Sequence, residues 1–423
     1  MKDSKCSKDV AEETSGRSAM QQHVDEHCAC SSCFPHGHDE EPSLEYKVLR
    51  GKDKIGENLI EIICGETKIL VELGKALEGG DELSDIEKNV LNTKYDAVVV
   101  SHYHSDHAGL MEYKEDCPIY IGSGAYRIVK AVSEYRGKNI ASNVVTYQNG
   151  KSFSVGGIKI TPFLCDHSAF DSYMLLFEAG GKSVLYTGDF RFHGRKNKQK
   201  LLSRLPKKVD TLICEGTNVG SKKQCFSESE LENKLVDVMH KNDKPVFVLQ
   251  SGTNIDRLVS VYRAAKRSDR ILYEDNYTAL VAYAADGKIP RPDVFGDVYA
   301  FTPRALSGMR KELFFKFENR RGWRQIKKNT NFVMIVRQSM RGYMEKLHKE
   351  IGLQGATLVY SMWSGYKENE DMKTFLDRLK DLGVEIVDLH TSGHASEEDI
   401  ELLKQTVCAD EYISVHTCPA SVE

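Results

Sequence analysis

Four side chains able to bind a metal fall within six residues of the segment Ser101-His102-Tyr103-His104-Ser105-Asp106-His107. They follow directly on the apolar run Asp96-Ala-Val-Val-Val100. A sharp loop at the end of such a strand can turn three imidazoles and a carboxylate toward one point, and that donor set suits borderline cations such as zinc. The same vocabulary recurs downstream. Cys165-Asp166-His167-Ser168 follows a strand-like run over 158–164, and Tyr186-Thr187-Gly188-Asp189 ends another. A histidine and an aspartate at successive strand ends are what a second cation requires, because a carboxylate can bridge two ions ~3.5–4 Å apart. Near the C-terminal end come Leu389-His390-Thr391-Ser392-Gly393-His394-Ala395-Ser396 and Ile413-Ser414-Val415-His416. His390 and His193 are read as structural or supporting rather than as ligands.

The elements that must position these residues are legible as two patterns. From Glu45 short β-rich runs alternate with turns: 58–64 and 68–73 flank Gly65-Glu66-Thr67 as a hairpin, and strands are expected at 153–155, 158–164 and 173–178. A helix is expected near 125–135, and Gly180-Gly181 turns the chain into Ser183-Val-Leu-Tyr186. After about Glu215 the rhythm becomes strand, helix, strand. Ser227-x-x-Glu230 is a capping box opening an amphipathic helix through Met239, and apolar runs at 245–249, 271–273, 331–336 and 357–360 read as strands of a parallel α/β unit. There is no internal repeat.

Composition narrows the class. The 423 residues are 40% hydrophobic and 28% charged, as in a globular protein, with no run of ~20 apolar residues and no apolar stretch behind Met1-Lys2-Asp3-Ser4-Lys5. No membrane partner is expected. Eleven scattered cysteines fit reduced thiols in a cytoplasm better than a disulfide framework. Residues 1–43 are polar and aperiodic and read as a disordered acidic tail carrying His23, His27, Cys28, Cys30, Cys33, His36 and His38. Two separated ligand pairs with a loop between them are not evident there, so the tract reads as a tail rather than a built zinc site. The net charge is −4, yet the tail holds four Lys/Arg against nine Asp/Glu, a net of −5, which leaves +1 on residues 44–423. A protein that coats nucleic acid by charge is excluded, but a near-neutral body with local basic surfaces is not.

The order and spacing of these motifs resemble the metallo-β-lactamase superfamily, and specifically its β-CASP branch of nucleases, which includes ribonuclease J. His102-x-His104-x-Asp106-His107 marks the superfamily; Glu215 in Ile213-Cys214-Glu215-Gly216-Thr217, His394 in Ser392-Gly393-His394-Ala395, and His416 mark the branch. The resemblance implies an α/β fold, an αββα sandwich with an inserted parallel α/β domain. Its parts are the tail 1–43, the sandwich 44–214, the insertion 215–380 and a return to the sandwich over 381–423. It implies two zinc ions, or manganese in their place. His102, His104 and His167 would hold one, Asp106, His107 and His416 the other, with Asp189 between them, and a water of lowered pKa would supply hydroxide for in-line attack. His394 would give a proton to the phosphate or leaving oxygen, with Glu215 orienting its ring. The chain departs from the family in carrying Glu72 in Val71-Glu72-Leu73-Gly74 where an aspartate commonly supports the metal site. With His416 close to Glu423, the C-terminal domain that ribonuclease J uses in assembly is not expected, and homo-oligomerisation is left open.

For the substrate, Ser251-Gly252-Thr253-Asn254-x-x-Arg257 resembles a segment of ribonuclease J-like proteins and could present Asn254 and Arg257 to a phosphate, a simple helix cap being the other reading. Ser396-x-x-Asp399 is a second capping box, and the start of its helix would favour an anion near Ser392 and Ser396. Basic residues crowd 191–208, and nine lie within 304–328 interleaved with Phe314, Phe315, Phe317 and Trp323, a pairing suited to single strands or to an ordinary solvated helix face. The leading expectation is a dizinc hydrolase cleaving RNA as an exonuclease, an endonuclease or both. The alternatives are a DNA nuclease or small-phosphodiester hydrolase, a diiron oxidoreductase of the same fold, in which a glutamate typically stands at the position of His104, and a non-catalytic RNA-binding module.

Overall fold

The computed structural model of the chain describes residues 42–76, 82–221, 225–285, 287–303 and 309–417. The Cys/His tract and Arg304 lie outside them. Among the described residues, no helix is long and apolar enough to cross a membrane.

The hairpin-rich first part builds two six-stranded sheets. One joins β1 (Leu44–Arg50), β2 (Leu59–Cys64), β3 (Thr67–Val71), β4 (Ala97–Val100), β5 (Ile119–Gly122) and β6 (Val144–Tyr147) in chain order. Its first pairs are antiparallel and its last three parallel. The other runs β7 (Phe153–Val155), β8 (Ile158–Cys165), β9 (Ser172–Ala179), β10 (Lys182–Tyr186) and β11 (Thr211–Glu215). All four residues of β4 are buried, as its unbroken Ala-Val-Val-Val demands of a strand covered on both faces.

The α/β rhythm that follows builds a third, wholly parallel sheet from β12 (Val246–Leu249), β13 (Ile271–Asp275), β14 (Val298–Phe301), β15 (Phe332–Val336), β16 (Thr357–Tyr360) and β17 (Glu385–Asp388), in the order β14-β13-β15-β12-β16-β17. This sheet extends past residue 380, where the insertion was expected to end. The chain then returns through β18 (Glu411–Val415), which pairs in parallel with β11.

Core composition shows the layers. One cluster draws Ile62, Ile69 and Val99 from the first sheet and Ile160, Leu175, Phe177 and Ile213 from the second, so the two sheets pack face to face. The outer face of the first sheet is covered by the helices Asp85–Asn92 and Ser123–Arg136 through Val90 and Ala125. That of the second is covered by Leu201, Ile400, Leu403 and Val407. The result is the αββα sandwich. Both faces of the third sheet are also covered, each by its own apolar cluster. The two expected capping boxes form at Ser227 and Ser396, where each side chain accepts from the backbone three residues on and the acidic partner answers. A smaller cluster of Ile128, Ile255, Tyr277 and Val281 joins the sandwich to the third sheet.

Candidate metal centre

Five strand ends converge on one place. β4 delivers His102, His104, Asp106 and His107; β8 delivers His167; β10 delivers Asp189; β11 ends on Glu215; and β18 delivers His416. Three bends make the convergence possible. His416 and Glu72 both adopt left-handed backbone, at φ 54° and 69°, which costs a non-glycine residue about 1–3 kcal/mol. Gly188 does so at 52°, and a Cβ there would lie 2.8 Å from Ser101 Cβ. Gly188→Ala is therefore expected to lower stability by more than about 1 kcal/mol, read as a shift of the denaturant midpoint.

The donors fall into two groups that share one residue. Ligand atoms of His102, His104, His167 and Asp189 lie within 4.8 Å of one another, and so do those of Asp106, His107, Asp189 and His416. Within the first, His104 Nδ1 stands 3.1 Å from His167 Nε2. Within the second, His416 Nε2 stands 3.1 Å from Asp106 Oδ2. Asp189 Oδ2 faces both, 3.3 Å from His107 Nε2, 3.7 Å from His102 Nε2 and 3.8 Å from His167 Nε2.

Three of the rings are held from behind by hydrogen bonds. His167 Nδ1 meets the Gly393 carbonyl at 2.6 Å, His416 Nδ1 the Thr217 hydroxyl at 2.8 Å, and His102 Nδ1 the Ser101 hydroxyl at 3.0 Å. Glu72 takes the supporting role that an aspartate fills elsewhere. Fully buried, it accepts from Ser101 N at 3.1 Å and lies 3.2 Å from His107 Nδ1. The longer side chain keeps the contact, its backbone in the left-handed region.

Two observations fit this donor set to divalent cations. Asp189 Oδ1 and Oδ2 and His102 Nε2 are buried with no hydrogen-bond partner, whereas buried polar atoms nearly always have one. The electrostatics also favour positive charge. Burial opposes a charged His107, yet Asp189, Asp106 and Glu72 hold its pKa well above the ordinary value. Burial and the neighbouring rings hold His102 and His167 well below it, and burial brings His104 down to about 4. Those three imidazoles are neutral, the form that binds metal.

Glu215 and His394 also form a donor group with Asp189 and His416, but Glu215 has no oxygen to spare. Its Oε1 accepts from Phe190 N at 2.7 Å, and its Oε2 accepts from Thr217 Oγ1 at 2.8 Å and meets His394 Nδ1 at 3.0 Å. Burial disfavours charge on His394, but Glu215 and Asp189 outweigh it and raise the ring to about 9. His394 is thus a carboxylate-held cation at the edge of the ligand groups.

The expected phosphate contacts divide. Ser392 is at the site, its hydroxyl accepting from His394 N and from Asn218 Nδ2, both at 3.1 Å. Ser396 is committed to its helix cap, and Glu397, Glu398 and Asp399 already fill the first turn with negative charge, so that helix start does not favour an anion. Asn254 is a helix cap, accepting from Arg257 N at 3.0 Å. The Arg257 guanidinium turns inward, fully buried, onto Glu228 at 3.1 Å and onto Ser361. Their loop does reach the sandwich, where Tyr103 donates to Thr253 O at 2.8 Å. In the first basic stretch Arg191 is likewise buried, pairing with Asp166, Glu228 and Asp256. In the second, Phe317 is buried while Phe315 is exposed. His193 links Ser392 O to Asp399, and burial drops His390 to about 3.

Sequence reasoning missed Thr217, whose hydroxyl joins Glu215, His394 and His416, and Asn58, whose Nδ2 lies 3.1 Å from His107 Nε2. It also missed Trp363 and Tyr366, exposed by 56% and 47% and packed edge to face at 5.4 Å. Burial and, less strongly, the charge of Asp106 raise the Tyr366 phenol, so Tyr366 lies within electrostatic reach of that carboxylate. Two aromatics flanking Ser364-Gly365 after a strand were the available signal.

Residues 84–239 match a beta-lactamase superfamily domain. Ribonuclease J of Mycobacterium tuberculosis is 26% identical over 241 residues, covering 52% of this chain and 42% of that protein. Ribonuclease J of Mycoplasma pneumoniae is 20% identical over 401 residues, covering 86% and 66%. Transcription termination factor FttA of Methanothermobacter thermautotrophicus is 21% identical over 297 residues, covering 64% and 44%. A solved protein of unknown function from Enterococcus faecalis superposes with a TM-score of 0.72 at 19% identity, covering 90% of this chain and 96% of that one, a likeness of fold. The chain spans less than half the length of the first of these relatives. The histidine–aspartate loop at the strand ends falls within the matched beta-lactamase superfamily domain, and beyond that domain the chain is similar to the ribonuclease J and FttA proteins over the spans given.

Proposed function

We propose that the chain is a dizinc hydrolase that cleaves phosphodiester bonds of single-stranded RNA in the cytoplasm. The observation that carries this reading is the His394–Glu215 pair, a charged imidazole fixed at 3.0 Å beside two donor groups that share Asp189. A site that only bound metal would have no use for it. Support for RNA comes from the names of the relatives, two of which are ribonucleases, and the free thiols of Cys64, Cys117, Cys165, Cys214, Cys225 and Cys408 suit a reducing compartment.

His102, His104 and His167 would hold one cation, Asp106, His107 and His416 the other, and Asp189 would serve both. When bound, two such cations supply a water acidic enough to attack at neutral pH and neutralise charge on the phosphate. The chain's own residues do the rest. Glu215 and Thr217 occupy His394 Nδ1, which leaves the Nε2 proton for the leaving oxygen or the phosphate. Glu215 keeps that proton on the ring at neutral pH. Trp363 and Tyr366 offer aromatic faces on which bases beside the scissile bond can stack. The nitrogen donors at His104 and His167 argue against the diiron alternative, for which a carboxylate at His104 was expected.

Two outcomes follow. His394→Ala slows cleavage by about 100-fold or more, the size of a general-acid contribution, while metal content measured by mass spectrometry stays at the wild-type level. Trp363→Ala raises KM for single-stranded RNA by roughly 5–150-fold, from a stacking contribution of ~1–3 kcal/mol, and leaves kcat within about twofold. Loss of metal from His394→Ala would instead make that ring a ligand.

A further inference from the structure

Outside the metal centre, the described residues line a half-open cavity of about 620 Å³, within the ~300–1,000 Å³ usual for small-molecule sites. It lies beyond the carboxyl ends of two parallel strands, since Phe301 is the last residue of β14 and Ser339 and Met340 follow β15. Open parallel sheets bind ligands in that crevice.

Its walls are of two kinds. Phe301, Tyr343 and Trp323 make a continuous aromatic wall, with Phe301 to Tyr343 at 5.2 Å and Tyr343 to Trp323 at 5.3 Å between ring centroids. Arg320, Arg321 and Lys346 supply positive charge, and among the described residues no acidic side chain lines the cavity. The contacts that fix these heads leave their charge intact. Arg320 donates to the Phe315 carbonyl at 2.8 Å, Arg321 lies 4.1 Å over the Tyr299 ring, and Lys346 lies 4.8 Å over Trp323. Glu350, the carboxylate that feels Lys346, is already paired with Lys327 at 3.3 Å. The Tyr343 hydroxyl is buried with no hydrogen-bond partner, a state that polar groups of native proteins rarely keep.

We infer that this cavity binds a nucleotide unit, its base against the Trp323–Tyr343 wall and its phosphate on Arg320, Arg321 and Lys346. Flat apolar walls with several cations and no acid select a planar ring that carries an anion. The inference concerns binding and does not require that the chain cleave RNA. A free mononucleotide and one residue of an RNA strand share this chemistry.

The protein's two tryptophans are Trp323 and Trp363, so Trp363→Phe leaves Trp323 as the only indole reporter. Titrating that variant with AMP is expected to give a saturable change in Trp323 fluorescence, with adenosine, which lacks the phosphate, binding at least about tenfold more weakly. Gly342 lines the cavity, and a Cβ there would meet nothing within 4 Å. Adding Gly342→Phe places a bulky ring at the cavity wall and should abolish the change, while Lys346→Gln, at an exposed position, should weaken it about tenfold. A 5′-phosphorylated oligoadenylate that binds more tightly than AMP identifies a strand as the occupant; one that binds equally or more weakly identifies the free nucleotide. No saturable change at millimolar AMP, or one that survives undiminished in both Gly342→Phe and Lys346→Gln, overturns the assignment.

Discussion

Asp189→Ala is expected to reduce RNA cleavage to background and to leave the protein with fewer than two bound cations. Asp189 is the one residue common to both donor groups. Its Oδ2 lies 3.3 to 4.0 Å from ring nitrogens of His107, His394, His102, His167 and His416, and neither of its oxygens has a hydrogen-bond partner. Burial opposes its ionisation, but His107, His416 and His394 hold its pKa well below the usual carboxylate value, so it is an anion at any working pH. Residues that merely support a ligand cost about 10–100-fold in metal affinity or activity when removed. A carboxylate shared by two cations must cost more, and the loss must exceed that expected for His394→Ala. Metal content by mass spectrometry and cleavage of labelled RNA check the two halves of this prediction; a variant that keeps two cations and cuts RNA would remove Asp189 from the centre.

Glu228→Ala is expected to be the most damaging substitution for folding, at about 3–5 kcal/mol, the range for breaking a buried ion pair by removing one partner. Glu228 is fully buried and receives Arg257 at 3.1 Å, Arg191 at 3.2 Å and the Ser260 hydroxyl at 2.6 Å. Arg191 also pairs with Asp166, immediately before His167, and donates to the Ser392 carbonyl at 2.9 Å, while Arg257 reaches Ser361 beyond β16. The network therefore ties the third sheet to the loops that carry His167 and His394. Without Glu228, Arg257 loses the one carboxylate it pairs with among the described residues. Burial opposes charge on Glu228, but Arg257 and Arg191 depress its pKa below the ordinary 4.5. A depressed folded-state pKa contributes stability that is complete above the unfolded value and is lost as pH falls below about 4.5. Wild-type protein should therefore lose stability on acidification below pH ~4.5, and Glu228→Gln should lose less over the same interval. Denaturant midpoints across pH test this; equal losses would show that Glu228 is not ionised in the folded state.

The site was far more legible than its support. A metal ligand must be a particular residue type, and the strand-end loops that carry His102 to His107, His167, Asp189 and His416 announce themselves by composition. The β4 run, the first hairpin and both capping boxes were readable for the same reason, because their local patterns agree with their surroundings. Arg257 misled because sequence shows a charge but not its direction. Only the fold reveals Glu228, on the preceding helix, as its partner. Ser396 misled for a related reason, since the acidic first turn that follows it spends the helix end which a phosphate would use. β17, half-exposed and bounded by Glu385 and Asp388, carries little apolar signal, and its pairing with β16 set the true extent of the third sheet. Thr217 and Asn58 act through single hydrogen bonds that no spacing rule anticipates.

The most direct test of the central claim is to incubate metal-loaded protein with end-labelled single-stranded RNA and with DNA of the same sequence, and to follow strand length. RNA is expected to be shortened, two divalent cations to be bound per chain, and the strand to stay intact with Asp189→Ala. Intact RNA in the presence of two bound cations, or two iron atoms per chain with redox turnover and no cleavage, would contradict that claim.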